Sequence, residues 1–405
     1  MDIDRDKFLD EGYLILRQVI PPDQLESVRQ AYELMVDHQR AIWARNRDPD
    51  HPPGGYWEIS SQPRIALQNL AHLIDETTIL CVETWLFENI HGVSSALLGV
   101  SDAAPTEMML MCSPVRDHGT TNHRGWHRDI YPPESAPLQG YADDIIEGGP
   151  RYLQWNIPLY DDNVLWVVPG SHRRRNTATE NAQIEQDPTV PLPNGIQTHL
   201  KAGDGVVYIT PILHWGSRYD TTMRRTVHGG FSTHTQYPDL SFLPFLSDAH
   251  QRRFHGWTER SGRMKAHTET ALRAAMNGDA AGYRAALDLL HPGRGEKGKL
   301  LSTVYLSKVA RHIHDLKRPD FSSLPQQVRD SVLQAHPITL SWGPEFAERF
   351  TIEDSQRLWD CFKAVDDGIQ ADTPQYSPCF QGEESRYYFE EIPAAVSVDG
   401  FIRQN

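Results

Sequence analysis

Polar and apolar side chains alternate through the stretch Tyr152-Leu153-Gln154-Trp155-Asn156-Ile157-Pro158-Leu159. An alternation with a period of two indicates a β-strand, because successive strand residues point to opposite faces of a sheet. Short apolar runs of strand length, separated by Gly, Pro, Asn and Asp, continue over residues 106–236. Many short strands joined by such turns are typical of a β-sandwich or β-barrel.

Helical patterns flank this strand-rich region on both sides. Before it, residues 22–35 and 75–98 carry apolar side chains at the spacing of an amphipathic helix. After it, the same spacing recurs at residues 268–276, 280–290, 300–316 and 326–334. We therefore predict an α+β protein with a first domain at 1–245, divided into a helical part at 1–105 and a strand core at 106–236. Residues 246–405 are predicted to form a mainly helical extension.

The short sequence from Gly125 to Asp129 contains a candidate metal motif. It has strand-favouring neighbours, so His127 and Asp129, two residues apart, should point to the same face and could share a metal ion. His214 lies in a second strand-like segment and would be the third ligand. Two histidines and one carboxylate form the facial triad of non-haem Fe(II) oxygenases, which leaves coordination positions open for a co-substrate and oxygen.

A second pair with the same spacing, His267 and Glu269, lies in a helical pattern. Residues two apart on a helix point in different directions, so this pair is rejected as a metal site.

The chain resembles the phytanoyl-CoA dioxygenase family of Fe(II)- and 2-oxoglutarate-dependent oxygenases. The resemblance covers roughly residues 5–235 and rests on several elements in the right order. They are residues 8–25, the motif His127-Arg128-Asp129, the turn Pro169-Gly170-Ser171-His172, the segment Gly203-Asp204-Gly205-Val206-Val207-Tyr208, His214, and Arg225 eleven residues later. The chain departs from the family in a short segment at 161–164 and in a long one at 129–153, which would be a lid or substrate loop.

The resemblance implies a double-stranded β-helix, a jelly roll related to the cupins, as the core. It implies Fe(II) bound by His127, Asp129 and His214, with 2-oxoglutarate and O2 as co-substrates. Arg225 has the family spacing for binding the far carboxylate of 2-oxoglutarate, a task that suits the planar guanidinium group. Arg224 would then face the other side of the strand, since alternation allows only one of the two to point inward.

Three further residues are candidates for contacts with the co-substrate. Ser217 is a plausible neighbour of its carboxylate, Trp155 resembles the family's aromatic residue beside it, and Arg128 lies where the family often has a polar contact. Packing in the core is an equal alternative for Trp155.

The implied reaction is hydroxylation of an unactivated C–H bond in a small-molecule substrate, with release of succinate and CO2. The presence of Asp129 favours hydroxylation over halogenation, because related halogenases have a small residue there. Desaturation or cyclisation stays an alternative. The basic cluster Arg116, His118, His123, Arg124 and Arg128 suggests an anionic substrate, or else a solvated surface. The resemblance also allows a natural product as the substrate.

Two other classes of protein compete with this interpretation. A catalytically silent jelly roll used for binding or scaffolding would be expected to lose a metal ligand or the co-substrate arginine. A metalloenzyme that does not use 2-oxoglutarate would have no need for Arg225.

Composition narrows the partners and the location. The net charge of −15 argues against nucleic-acid binding. No apolar run is long enough for a membrane span, and the charged N-terminus does not resemble a signal peptide. The four scattered cysteines are expected to be free thiols in the cytoplasm. We expect a small-molecule substrate, and C-terminal helices that cap the site or form the interface of a homodimer.

Overall fold

A computed structural model gives the fold of the chain. It describes residues 3–46, 64–67, 73–113, 124–129, 138–217, 223–234, 240–334, 344–368, 374–380, 383–388 and 397–404.

Twelve α-helices lie within these residues. In chain order, α1 to α12, they are Arg5–Glu11, Leu25–Asn46, Leu80–Glu83, Val93–Leu98, Leu138–Gly148, Ala178–Gln186, Asp248–Met276, Ala280–Leu290, Glu296–Lys317, Gln326–Gln334, Ile352–Gly368 and Val398–Gln404.

Twelve strands, β1 to β12, accompany the helices. They are Tyr13–Leu16, Arg64–Ala66, Ala104–Ser113, Arg124–His127, Tyr152–Pro158, Leu165–Val167, Ile196–Gln197, Gly205–Ile209, His214–Gly216, Arg224–Ser232, Pro374–Phe380 and Glu383–Tyr388. A six-stranded sheet has the order β1-β8-β5-β10-β3-β2, and a four-stranded sheet has the order β4-β9-β6-β7. Strands β11 and β12 form a separate hairpin.

The two larger sheets face each other and enclose a common interior. Leu165 and Val167 of the small sheet pack in one cluster with Val206 and Tyr208 of the large sheet. All neighbouring strands in both sheets are antiparallel. Two antiparallel sheets packed in this way form the predicted jelly-roll core, and the α+β fold class is confirmed.

The outer face of the large sheet is covered by the N-terminal helices. Trp155 and Val227 point outward from neighbouring strands, and they share one apolar cluster with Phe8, Val28 and Trp85. The alternation that defines β5 and β10 thus supplies apolar residues to the helices and leaves the other face for the interior.

The predicted long helix at residues 75–98 is wrong, since the structure divides it into short helical segments. At Phe87 the backbone is extended, with ψ of 138°, and a π-helical turn follows at Glu88–Gly92. Trp85 and Ile90 are both fully buried in the same cluster. Five residues turn a regular helix by roughly 140°, so a straight helix could not direct both side chains towards one surface.

The C-terminal helices form a second apolar cluster. Helices α8 and α10 coincide with predicted segments, while the patterns at 268–276 and 300–316 belong to the longer helices α7 and α9. Helix α7 contributes Phe254 and Trp257 to the first cluster and Ala271 and Leu272 to the second. The domain boundary between residues 245 and 246 stays a prediction.

Two further observations concern cysteines and hydropathy. Cys81, Cys112 and Cys361 are free thiols, as expected. Among the described helices, none has both the length and the apolar character that crossing a bilayer requires.

Candidate active site

The three predicted metal ligands lie close together on or beside strands β4 and β9 of the small sheet. His127 on β4 and His214 on β9 are register partners on adjacent strands, and Asp129 follows β4. The Nε2 atom of His127 lies 3.5 Å from Asp129 Oδ1, and that of His214 lies 3.3 Å from Asp129 Oδ2. One ligand atom from each residue falls within a group spanning at most 4.8 Å.

Each imidazole is oriented by a backbone carbonyl two residues upstream. His127 Nδ1 lies 2.8 Å from the carbonyl oxygen of Gly125, and His214 Nδ1 lies 2.9 Å from that of Ile212. A carbonyl only accepts, so each Nδ1 donates to its carbonyl, and each Nε2 is the ring nitrogen that faces Asp129. Both rings are buried, at 3% and 4% exposure. Two imidazoles and a carboxylate held in this way are a donor set that suits Fe(II).

A polar ladder on the inner face of the large sheet supports this group. Gln154 Nε2 donates to Asp129 Oδ2 at 3.2 Å and to the hydroxyl of Tyr208 at 2.8 Å. Asn156 Oδ1 accepts from His228 Nδ1, and His228 Nε2 lies 3.3 Å from the Gln154 amide nitrogen. The sequence interpretation missed Gln154 and Asn156. The signal was available, because buried amides on a central strand indicate an interior that is polar.

Strand β10 places Arg224 rather than Arg225 on the inner face. Arg224 and Thr226 share the parity of His228, whereas Arg225 shares that of Val227, which packs under the N-terminal helices. This corrects the prediction for Arg225.

The contacts of Arg225 agree with its outward orientation. Its Nε pairs with Glu33 of α2 at 3.1 Å, and its Nη1 donates to the carbonyl of Arg224.

Arg224 is buried and already holds one acidic partner. Its Nε donates to Asp162 Oδ2 at 2.6 Å, and the Thr226 hydroxyl donates to the same oxygen at 3.3 Å. The terminal Nη1 and Nη2 atoms make no hydrogen bond to the described residues. Asp162 belongs to the short segment at 161–164 in which the chain departs from the family pattern, and its role was not predicted.

Trp155 and Ser217, both predicted beside the co-substrate, lie on outer faces. The indole of Trp155 is fully buried in the core and donates to Ser94 Oγ at 2.9 Å. Ser217 Oγ accepts from the indole of Trp166 at 3.1 Å, and Trp166 packs against Trp215 on the side of β9 away from His214. Both residues stabilise the sheets, and core packing is the alternative that holds for Trp155.

Arg128 points away from the metal ligands on either side of it. It is 1% exposed and donates to the carbonyls of Ser171 and Pro211, and to Asn176 Oδ1 at 2.6 Å. Ser171 lies in the Pro-Gly-Ser-His turn, and Pro211 precedes the strand of His214. Arg128 therefore joins two loops and positions the flanking ligands, which corrects its prediction as a co-substrate contact.

The Pro-Gly-Ser-His turn is anchored by its histidine. His172 is fully buried against Gly12, whose φ of +82° and close approach exclude a side chain. His172 Nε2 lies 3.0 Å from the carbonyl of Leu9. Burial, with help from Arg173 and Arg128, lowers the pKa of His172 to about 4, so the ring is neutral at pH 7.

The predicted basic cluster is only partly visible. Arg116, His118 and His123 lie outside the described residues, as does the side chain of Arg124. Arg128 is internal and contributes to no surface.

The fold and the site define a jelly-roll protein with a two-histidine, one-carboxylate centre, the arrangement found in non-haem iron oxygenases. Comparison with known proteins agrees. The profile of the phytanoyl-CoA dioxygenase (PhyH) family matches residues 8–227, more than half of the chain. The chain belongs to this family and is a non-haem, Fe(II)- and 2-oxoglutarate-dependent oxygenase. No curated protein sequence matches it.

Several solved structures are similar to the chain over somewhat more than half of its length. AviO1 from Streptomyces viridochromogenes Tue57 is 19% identical, with 57% of this chain and 96% of that chain covered and a TM-score of 0.38. EctD from S. alaskensis, solved with 2-oxoglutarate and 5-hydroxyectoine, is 14% identical, with 56% and 74% covered and a TM-score of 0.37. The carbocyclase SnoK from nogalamycin biosynthesis is 17% identical, with 60% and 89% covered and a TM-score of 0.38.

Proposed function

We propose that His127, Asp129 and His214 bind the catalytic Fe(II). The observation that carries the assignment is the convergence of both Nε2 atoms on one carboxylate while both Nδ1 atoms are held by carbonyls. Gln154 fixes the orientation of Asp129 by donating to Oδ2. This hydrogen bond leaves Oδ1 and both imidazoles to face the metal.

We assign Arg224 to the far carboxylate of 2-oxoglutarate. Asp162 accepts a hydrogen bond from Nε and so fixes the plane of the guanidinium. Nη1 and Nη2 therefore stay available for bidentate binding of a carboxylate. Thr226 lies one inward position closer to His228 and the metal ligands, and its hydroxyl helps to hold Asp162 in place by donating to Oδ2. Arg225 faces Glu33 on the outer side of the same strand, so it cannot serve in this position.

The reaction that this site supports best is hydroxylation of an unactivated C–H bond in a small molecule. Iron with 2-oxoglutarate and oxygen supplies the oxidising power, and succinate and CO2 are released. The protein contributes by positioning and by excluding water. The ligand set is held rigid by the burial of both histidines, by the hydrogen bonds of Arg128 and by the Gln154–Tyr208 pair. Asp129 supplies a carboxylate ligand where related halogenases have a small residue, which favours hydroxylation over halogenation.

An anaerobic titration tests this proposal directly. Fe(II) and 2-oxoglutarate are added to the metal-free protein, and the visible charge-transfer band of the chelate is followed. We expect a band in the wild type and none in His127→Ala. A scaffold without catalytic function would give no band in any variant.

Arg224→Gln and Arg225→Gln form a matched pair for the co-substrate. A hydrogen bond to a charged group is worth about 1.5–3 kcal/mol, so Arg224→Gln should need roughly ten to a hundred times more 2-oxoglutarate. Arg225→Gln should titrate like the wild type. The reverse order would overturn the assignment of the strand faces.

A further inference from the structure

Three tryptophans form a row across the outer face of the small sheet. Trp126 lies on β4, Trp215 on β9 and Trp166 on β6, and these strands are neighbours. The ring centroids of Trp126 and Trp215 lie 5.6 Å apart, and those of Trp215 and Trp166 lie 5.5 Å apart. Both separations are typical of interacting aromatic pairs. The rings therefore form one continuous series across three strands, with Trp215 in the middle.

This row lies directly behind the candidate metal ligands. Trp126 immediately precedes His127, and Trp215 immediately follows His214. Neighbouring residues of a strand point to opposite faces of the sheet, so each imidazole and its neighbouring indole lie on the two sides of one strand. The row thus begins one residue away from the metal site.

The members of the row differ in their exposure to solvent. Trp126 is fully buried and Trp215 is 3% exposed, and both belong to an apolar cluster with Ile184 of α6 and Leu192. Trp166 packs against the same cluster but is partly exposed. The row therefore leads from the buried side of the ligand strands to the protein surface.

Packing alone does not favour three adjacent indoles. Each indole has an N–H group that needs an acceptor when it is buried. Trp126 donates to the carbonyl of Val190 at 2.8 Å, and Trp166 donates to Ser217 Oγ at 3.1 Å. An aliphatic side chain would fill a sheet face without this requirement. The property that an indole adds is chemical, because it can give up a single electron to a strong oxidant.

We infer that the row carries oxidising equivalents away from the metal centre when no organic substrate is bound. This inference rests on the proposed function. Iron, 2-oxoglutarate and oxygen together supply an oxidant strong enough for an unactivated C–H bond. An enzyme of this kind has to prevent side reactions in its own site, and here the nearest targets are the ligand residues themselves. Transfer of electrons from Trp215, and then from Trp166 to Trp215, spares them.

The electrons and protons of this process balance. Return of the unused oxidant to Fe(II) takes up two electrons and two protons and releases one molecule of water. Trp215 supplies each electron in turn and is restored by an electron from Trp166. A small reductant in solution, such as ascorbate or a thiol, then reduces Trp166, and the solvent supplies the protons. Without a reductant, the oxidised indole of Trp166 loses its N–H proton and combines with oxygen.

Mass-spectrometric peptide mapping after turnover without organic substrate tests the inference. The iron-loaded protein consumes 2-oxoglutarate in air without a reductant, and the positions of added oxygen are determined. In the wild type, we expect the added oxygen mainly on Trp166. Trp215→Phe keeps an aromatic ring that is much harder to oxidise. It should therefore lose the modification of Trp166 and gain oxygen beside the metal, for example on Tyr208, whose ring lies 5.4 Å from that of His214.

Two further measurements follow the direction of transfer. Trp166→Phe removes the partly exposed end of the row and leaves its buried part in place, so the added oxygen should move to Trp215. Ascorbate should increase the number of 2-oxoglutarate molecules consumed before inactivation several-fold in the wild type. It should give little protection in Trp215→Phe, because electrons from the surface no longer reach the metal centre.

Trp359 of α11 is the matched control. It is also partly exposed, and it stacks on His314 among the C-terminal helices, outside the row. Iron released into solution would oxidise Trp359 as readily as Trp166, whereas transfer along the row modifies Trp166 and leaves Trp359 intact. Trp359→Phe should therefore have the oxidation map and the turnover number of the wild type.

Equal modification of Trp166 and Trp359 would overturn the inference. Unchanged modification of Trp166 in a Trp215→Phe protein that still forms the chelate band would also overturn it, because the row would then be apolar packing. Failure of the proposed function has a different signature. In that case the wild type gives no chelate band and consumes no 2-oxoglutarate, and the role of the row fails with it.

Discussion

Protonation of His172 should destabilise the folded protein as the pH falls. This residue closes the Pro-Gly-Ser-His turn, and its ring lies between Gly12 and the carbonyl of Leu9 with no exposure to solvent. Arg128, which directly follows His127, donates to the carbonyl of the preceding Ser171. A change in the position of this turn would therefore be transmitted to the segment that carries His127 and Asp129. The pH dependence of stability thus reports on a contact that supports the site.

The sign and size follow from the two pKa values. The unfolded chain titrates His172 at its ordinary pKa of 6.5, whereas burial lowers the pKa in the folded protein to about 4. Between these values the unfolded chain binds the proton more strongly, so the free energy of unfolding decreases as the pH decreases. The stabilisation is complete above about pH 6.5 and lost below about pH 4. At ~1.4 kcal/mol per pH unit, this interval is worth about 3 kcal/mol.

Urea unfolding between pH 7.5 and about pH 4 measures this contribution. His172→Gln keeps a donor for the Leu9 carbonyl but does not titrate, so the loss of stability on acidification should be smaller by about 2–3 kcal/mol than in the wild type. His255→Gln, on the exposed face of α7, is the matched control and should keep the wild-type slope. Equal slopes in the wild type and His172→Gln would refute the reasoning.

Four other substitutions have defined outcomes. Gln154→Leu removes the donor to the ligand carboxylate and should weaken Fe(II) binding about 10–100-fold in an anaerobic titration; unchanged affinity would contradict this role. Arg128→Lys loses buried charged hydrogen bonds to two loops, and chemical denaturation should show a loss of roughly 3 kcal/mol or more. A Cβ on Gly298 would lie 2.7 Å from Asp144 Oδ1, so Gly298→Ala should cost about 1–3 kcal/mol. By contrast, Gly256→Ala in the middle of α7 meets no neighbour and should stabilise by up to ~1 kcal/mol; equal effects of the two glycine variants would argue against crowding.

The sequence was sufficient to identify the three residues that lie together at the candidate metal site. A spacing of two on a strand fixes the relative direction of His127 and Asp129 without knowledge of the rest of the fold. The family pattern then supplied His214 across the antiparallel pairing. The strands at 152–159 and 224–231 were also predictable, since their alternation survives in the sheet register.

The error at Arg225 has a simple physical origin. The family spacing counts residues through the connection between β9 and β10, and connections tolerate changes in length. A shift of one residue moves every side chain of a strand to the opposite face, so Arg224 lies on the face where Arg225 was expected. Trp155 illustrates a different limit. An aromatic residue on a central strand suits either face, and only the position of the N-terminal helices decides that it faces Ser94.

The ion pairs of Asp144 with Arg151 and Arg294 were beyond sequence reasoning for a third reason. Asp144 lies in α5, Arg151 just before β5, and Arg294 in the connection between α8 and α9. Helical patterns predicted α8 and α9 but not α5, which lies in the segment expected to be a lid or substrate loop, and they carry no information about how these helices pack against the sheet.

Helix α7 links the order of synthesis to the order of folding. Its 29 residues extend for roughly 43 Å, and its first turns supply Phe254 and Trp257 to the jelly-roll core. Asp102 anchors this end through Arg253, Arg260 and the Trp257 indole. The apolar core of the jelly roll is therefore complete only after residue 257 has been synthesised. The same helix then continues into the second apolar cluster as its first element.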